Sequence, residues 1–278
     1  MSKNYSLLEF KKMHCLGNDF VIIDGREGTP ISIKKIANKI ADRRFGIGCD
    51  QVVEILTSDQ AYAKLNFYNS DGTPSATCGN ATRCVARYFM DILSQSSLIL
   101  ETGAGLLACE KVGDLTRVNM GHPITKWDEI PLSEDLDILN LPIEGNPSAI
   151  GFGNPHCVFL VDDIGSVDLE IIGPKIENSH YFPQRTNVEF VEVLAPNKIA
   201  MIIWERGVGR TQASGSGASA AAAVTILKDC VDKKITICLE GGELGAEWTK
   251  DGIWMTGKTS HVFDGVLTGM FGELIDDQ

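Results

Sequence analysis

Asn69-Ser70-Asp71-Gly72-Thr73-Pro74-Ser75-Ala76-Thr77-Cys78-Gly79-Asn80 is a polar, glycine-containing stretch that runs directly into a helix-like segment, Ala81 to Gln95. The chain repeats the arrangement. Glu205-Arg206-Gly207-Val208-Gly209-Arg210-Thr211-Gln212-Ala213-Ser214-Gly215-Ser216-Gly217 precedes an alanine-rich run from Ala218 to Asp229. Each loop brings a small nucleophilic side chain to a predicted helix N-terminus. Such an end presents unpaired N–H groups and partial positive charge, so it favours bound anions and ionised thiols.

One constant offset along the chain separates Cys78 from Ser214, Asn18 from Asn154 and Gln51 from Asn187. Asn18 and Asn154 each follow a glycine, and Gln51 and Asn187 each precede a valine. Three ordered matches at one spacing indicate an internal repeat. Two structural halves facing one another across a shared site are therefore expected. Strand-like and helix-like segments occur twice in the order strand, strand, helix, strand, strand, helix, strands. Helices are few against many strands, which favours an α+β fold over a doubly wound sheet. The expected elements include strands at 8–13, 20–24, 52–56 and 63–68, and a helix over 33–43 after a possible cap at Ser32. Three strands follow near 97–102, 105–112 and 115–120, and Gly121 to Asn146 reads as a connection. The second half carries strands near 147–153, 156–162, 187–194 and 198–205 and a helical segment at 166–178. Short strands near 234–240, 244–249, 252–256 and 260–268 close the chain.

Composition narrows the function. A formal net charge of −12 over 278 residues argues against nucleic acid as the main partner. An anionic substrate must then be held by local donors. Met1-Ser2-Lys3-Asn4-Tyr5-Ser6 leads into a strand-like segment without an apolar signal region, and no apolar run is long enough to span a bilayer. None of the eight cysteines forms a Cys-x-x-Cys pair, so no zinc site and no other metal is expected. Their scatter through strand-like runs fits reduced thiols in the cytoplasm. Cys109, Cys157, Cys230 and Cys238 read as buried hydrophobes, with Cys15, Cys49 and Cys84 in the same class. Phe45-Gly46-Ile47-Gly48-Cys49-Asp50-Gln51 lacks the Gly-Lys-Ser/Thr ending of a phosphate loop.

Taken singly, the candidate residues have ordinary alternatives. Cys78 could be a buried structural thiol, and a serine before a helix is more often an N-cap than a catalyst. Glu205-Arg206 could be a solvated pair, and Asn18, Asn69, Asn154 and Asn187 could be turn residues. His14, His122 and His156 could sit in turns for the same reason.

Taken together, the segments resemble diaminopimelate epimerase. They are Lys12 to Phe20, Phe67 to Gly72, Cys78-Gly79-Asn80-Ala81-Thr82-Arg83-Cys84, Gly153-Asn154-Pro155-His156, Arg185 to Val188 and Trp204 to Gly207. The Cys-Gly-Asn form separates this branch from the similar proline racemases. The resemblance implies a cofactor-independent isomerase that interconverts LL- and meso-diaminopimelate for lysine and peptidoglycan synthesis. It implies two pseudo-symmetric halves, each a curved sheet or barrel around a central helix, with the active site in the cleft between them. The halves are expected at 1–123 plus 264–278, and at 124–263.

In this mechanism one cysteine thiolate removes the α-proton and a second thiol protonates the opposite face. Cys78 and the residue at 214 match those positions. Backbone donors at Gly79-Asn80 and Gly215-Ser216 would stabilise the carbanion. Asn69, Asn187 and Arg206 match positions that hold the distal stereocentre, and Asn18, Gln51, Asn154 and Glu205 would line the remaining pocket. His156 matches a position close to the reacting centre. No cofactor, nucleic acid or membrane is implied as a partner, and a homodimer is compatible with the family.

The chain departs from the family at one point: Ala213-Ser214-Gly215-Ser216-Gly217 stands where the family has Ala-Cys-Gly-Thr/Ser-Gly. A serine hydroxyl has no ionisation near neutral pH comparable to a thiol's, so the second acid–base group is weakened. An engineered exchange of an ordinary epimerase is favoured by the intact remainder of the motif set. The alternatives are a divergent enzyme resembling the hydroxyproline dehydratases and an inactive amino-acid-binding relative.

Overall fold

Residues 8–27 and 32–267 of the computed structural model are described. β1 (Leu8–Cys15) and β2 (Asn18–Asp24) form an antiparallel hairpin. Leu16, at φ 52°, and Gly17, at φ 87°, turn the chain between them. α1 (Ile33–Ala41) follows, and its buried residues Ile33, Ile36, Ala37, Ile40 and Ala41 recur at helical spacing. They pack on Val21, Ile23 and Val52. Ser32 makes no side-chain cap hydrogen bond, contrary to the expectation for that residue.

β3 (Gln51–Leu56) runs parallel to β2, and β4 (Ala63–Asn69) returns antiparallel to β3. A short strand that the periodicity did not show, β5 (Pro74–Ser75), folds back on β4. α2 (Gly79–Ile92) begins before the expected Ala81 and stops before Gln95. The earlier start has a local cause, because the Cys78 side chain caps the helix by accepting the Ala81 N–H. β6 (Ser97–Thr102), beside β4, pairs with β7 (Gly105–Val112), and β8 (Leu115–Asn119) leads out. α2 packs against β1, β2, β6 and β7.

The sequence of elements then recurs. β9 (Ser148–Gly151) and β10 (Pro155–Leu160) are antiparallel. α3 (Leu169–Glu177) lies within the helical segment expected at 166–178, and a 3₁₀ turn at Ile164–Ser166 precedes it. β11 (Asn187–Ala195) lies parallel to β10, β12 (Lys198–Glu205) antiparallel to β11, and a second short strand, β13 (Gly209–Thr211), folds back on β12. α4 (Gly215–Leu227) is capped by Ser214 and carries Ala218 and Ala220–Ala223 fully buried. Alanine has the highest helix propensity, and its small side chain admits close strands. α4 is accordingly packed by β9, β10, β11, β12, β14 (Lys234–Leu239), β15 (Gly242–Thr249) and β16 (Gly252–Gly257). β17 (Ser260–Leu267) goes back to pair with β1, Leu8 facing Leu267.

The repeat is a repeat of structure. The offset that relates Cys78 to Ser214 also relates α1 to α3, the start of β3 to that of β11, the end of β4 to that of β12, and the start of α2 to that of α4. Register is kept as well. Phe20 faces Gln51 as His156 faces Asn187, and Tyr68 faces Pro74 as Trp204 faces Arg210. The chain divides into two compact units, one ending at Thr116 and resuming at Lys258, the other Arg117–Gly257. Both divisions fall earlier than the sequence boundaries. Met120 already bonds Ile253 of β16, and β17 pairs with β1 from Ser260 onward. The expected C-terminal segment is described only to Leu267. Each unit is a set of strands around one central helix, α2 or α4, as the resemblance implies, with a second helix, α1 or α3, packed on its strands.

Among the cysteines, Cys15, Cys49, Cys84, Cys109 and Cys157 are buried. Cys230 and Cys238 are only half-buried, against the expectation of core positions, and Cys238 lies beside Glu243. All eight are free thiols.

Gly173 shows how closely α3 sits on β12. A Cβ there would lie 2.7 Å from Trp204 Cγ and Cδ2. Gly173→Ala is expected to cost about 1–3 kcal/mol of stability in chemical denaturation, the usual range for overpacking. A change within the denaturation error would show that the indole moves aside freely.

Candidate active site

The first candidate group belongs to the unit of α2. Cys78 has extended backbone geometry, φ −150° and ψ 105°, and is half-buried. The Ala81 N–H points to its Sγ at 3.5 Å, and Thr82 N–H and Oγ1 both donate to its carbonyl, at 2.9 and 2.8 Å. Asn80 is buried and ties the helix start to the β1–β2 turn, its Nδ2 donating to Asn18 Oδ1 at 3.0 Å. Asn18 in turn donates to Asp50 at 2.8 Å. Gln51 and Asn69 are direct cross-strand partners, and Gln51 Nε2 donates to Asn69 Oδ1 at 2.9 Å. Asn69 Nδ2 also reaches Thr73 Oγ1. The predicted polar residues of this unit are thus joined in two short networks, Asn18–Asn80 beside Cys78-Gly79, and Gln51–Asn69. A cavity of about 740 Å³ in the same unit, lined by Phe10, Arg26, Tyr62 and Tyr88 among others, contains none of them.

The second group belongs to the unit of α4. Ser214 repeats the geometry of Cys78, with φ −134° and ψ 128°, and accepts the Gly217 N–H at 3.3 Å. Its hydroxyl lies 3.5 Å from that of Ser216. Glu205 accepts from Thr211 Oγ1 at 2.6 Å and also from Ser214. Burial pushes the Glu205 carboxyl above its ordinary value, and these two hydrogen bonds oppose the shift. Asn187 is buried, donates to the Pro155 carbonyl at 2.8 Å and accepts the Arg206 N–H at 2.9 Å. The Arg206 guanidinium donates to the Gln184 carbonyl. His156 is fully buried, with Nε2 2.7 Å from Asn154 Oδ1.

Three participants were not singled out in the sequence. Asp50 orients Asn18. Arg83 is fully buried beneath the α2 start and donates to Asn80 Oδ1 at 2.6 Å. Glu189 is fully buried, with Oε1 2.6 Å from His156 Nδ1. The signal for Glu189 was present, since a carboxylate interrupts the apolar run Val188 to Val191 at a strand position buried on both faces. Asp50 and Arg83 carry no such signal, because each lies in a polar setting in sequence.

The sequence profile of the family described as Diaminopimelate epimerase matches residues 10–126 and 148–262. This chain belongs to the diaminopimelate epimerase family. Its relatives include the diaminopimelate epimerase of Desulfitobacterium hafniense, 42% identical over 94% of this chain and 98% of that protein. That of Methanococcus maripaludis is 39% identical over 94% of this chain and 99% of its own length. Among solved structures, a hydroxyproline epimerase from Agrobacterium vitis superposes with TM-score 0.69 at 12% identity, covering 96% of this chain and 93% of that one. A PhzF-family phenazine biosynthesis protein from Bacillus anthracis gives 0.68 at 14%, covering 95% and 100%. At such low identity these two share the fold. The chain is an isomerase, an amino-acid epimerase. Among the described residues no helix is long and apolar enough to cross a membrane.

In this epimerase the β1–β2 turn is held by charge. Asp19 bonds Arg43 at 2.7 Å and Lys12 at 2.6 Å, and its Oδ1 accepts the Asp50 N–H at 3.0 Å. Burial alone would raise the Asp19 carboxyl; the Arg43 and Lys12 partners outweigh it and hold the group at about 2. A folded value below the unfolded one stabilises the protein above pH ~4, and that stabilisation is lost as pH falls from ~4 toward ~2. Arg43 is largely exposed, so solvent screening reduces the effect. Asp19→Asn is expected to cost about 1–2 kcal/mol at pH 7 in urea unfolding. The difference from the parent should shrink below pH ~4; a penalty constant from pH 7 to 3 would contradict the charge assignment.

Proposed function

We propose that this epimerase interconverts LL- and meso-2,6-diaminopimelate by cofactor-independent two-base proton transfer, and that Ser214 in the place of a second thiol impairs it. The observation that carries the reading is the pair of equivalent helix N-caps in a member of this family, Cys78 on α2 and Ser214 on α4. Inversion at a carbon needs a proton acceptor on one face and a donor on the other. Cys78 is assigned the first role, because a thiolate at a helix start is favoured by the unpaired N–H groups there.

The carbanion formed at the α-carbon shares its charge with the α-carboxylate. We assign the first-turn N–H groups at Gly79-Asn80 and Gly215-Ser216 to that carboxylate, where preformed donors are worth most. Arg206 suits the distal carboxylate through its planar guanidinium, with Asn69 and Asn187 beside the distal amino group. Asn18 and Gln51 in the α2 unit, and Asn154 and Glu205 in the α4 unit, are assigned the remaining substrate contacts. Ser214 is hydrogen-bonded to Glu205, but its hydroxyl stays un-ionised near neutral pH and delivers or takes a proton slowly. We read the physiological setting as the cytoplasm, the substrate as a free amino acid rather than a nucleic acid, and the assembly as a homodimer.

The test is α-hydrogen exchange in deuterated buffer with LL- and meso-diaminopimelate separately. The chain itself should exchange slowly, from one isomer only. Ser214→Cys should raise epimerisation by about 10²–10⁴-fold, the usual contribution of one positioned acid–base group. Cys78→Ala should abolish exchange in either background. Absence of exchange with both isomers in both the parent and Ser214→Cys would overturn the substrate assignment.

A further inference from the structure

The internal repeat exposes one asymmetry. His156 and Glu189 occupy the positions that Phe20 and Val53 hold in the other unit, at the same offset that relates Ser214 to Cys78. Phe20 and Val53 are fully buried apolar residues on neighbouring parallel strands, so the fold at this place is satisfied by hydrocarbon. The α4 unit instead buries an imidazole and a carboxylate there, both at 0% exposure and 2.6 Å apart. A buried ionic pair rarely stabilises a protein more than packed apolar residues of similar size. The exchange therefore has a chemical reason.

The surroundings define the proton inventory. His156 Nδ1 faces Glu189 Oε1, and Nε2 faces Asn154 Oδ1 at 2.7 Å. Both ring nitrogens thus point at oxygen acceptors, which an imidazolium satisfies by donating twice. Glu189 Oε2 has no hydrogen-bond partner. Burial raises the Glu189 carboxyl, and the neighbouring imidazole opposes that shift. The first turn of α4 lies against Glu189, since a Cβ on Gly217 would come 2.9 Å from Oε1. The positive end of that helix favours the carboxylate form. The other charged group acting on the pair is Glu205 on β12, and the Cys157 thiol adjoins Glu189. Removing the shared proton would leave two buried carboxylates with a neutral ring, which burial penalises.

We propose that Glu189 is a positioning residue that retains a proton on His156, so that the ring presents Nε2–H as a donor rather than a bare Nε2 as a base. The inference rests on the epimerase reading only for its catalytic consequence: with Nε2–H donating to Asn154 Oδ1 at 2.7 Å, His156 fixes that side chain and does not abstract a proton from substrate. The proton balance is simple. One proton sits between Nδ1 and Oε1, one remains on Nε2, and the pair is neutral overall.

The test is ¹⁵N-histidine NMR of the chain without substrate, the His156 signals being identified by their loss in His156→Gln. At pH 7.5 both His156 ring nitrogens should be protonated, each facing an oxygen acceptor, and in Glu189→Gln the ring should carry one proton fewer. An unprotonated Nε2 at pH 7.5 in the parent, accepting from the Asn154 amide, would overturn the proposal even if Glu189→Gln fails to fold. So would a ring still doubly protonated at pH 7.5 in Glu189→Gln. In the Ser214→Cys background, Glu189→Gln should lower α-hydrogen exchange by about 10²-fold and move its pH profile; an unchanged profile overturns the positioning role. The NMR result needs no substrate, so it stands or falls separately from the diaminopimelate assignment.

Discussion

The first N–H groups of a helix have no acceptor within the helix, and in each unit a single short side chain is placed to close that end. Cys78 does so for α2 and Ser214 for α4, both from extended backbone and both accepting the N–H three residues on. Everything else in the two candidate groups is arranged about these junctions. The strand that precedes each one ends at an equivalent place in the repeat, Asn69 in β4 and Glu205 in β12. A short hairpin strand, β5 or β13, then turns the chain back toward the helix start. Capping of this kind is worth about 1 kcal/mol, so it accounts for the choice of a small polar side chain. It does not account for a cysteine, a weaker cap than serine, and there chemistry is the better explanation.

The polar residues around the junctions differ in what holds them. Asn80, Asn18 and Asp50 form a chain of hydrogen bonds from the α2 start to the β1–β2 turn. Asn187 spends its amide on two backbone groups, so it fixes the ends of β10 and β12 against each other. Glu205 and His156 differ, because each is held by side chains, and His156 is buried where the other unit has a phenylalanine. The repeat makes this visible, since Asn69 stands at the position of Glu205 and Phe20 at that of His156. The scaffold is duplicated, whereas the buried imidazole–carboxylate pair stands in the α4 copy, at positions that the α2 copy fills with Phe20 and Val53.

The two central helices solve the same packing problem with different sequences. α2 keeps a polar edge with Arg87 and Asp91 paired at 2.8 Å, and its buried side includes the fully enclosed Arg83. α4 has no such edge along its alanine run and is enclosed by the strands of its unit. An alanine helix gains little from each side chain, so its stability comes from the surrounding strands at close range.

The amino-acid sequence by itself determined the repeat, the α+β class and the two loop-to-helix junctions. Those features depend on spacing and local propensity, which a linear chain records directly. Apolar period 2 and period 3.6 placed nearly every long strand and helix, whereas β5 and β13 were too short to show a period. The candidate side chains at 78 and 214 were legible for the same reason, being local to a helix start. Only the tertiary structure decided which polar residues meet. Asn80 finds Asn18 across 62 residues and His156 finds Glu189 across 33, partnerships set by strand order and register. Glu189 was readable as an anomaly within its strand, but its meaning required the neighbouring strand that brings the imidazole to it. Burial likewise separated Cys157 from Cys238, which look alike in sequence, because exposure depends on what the fold lays over a strand.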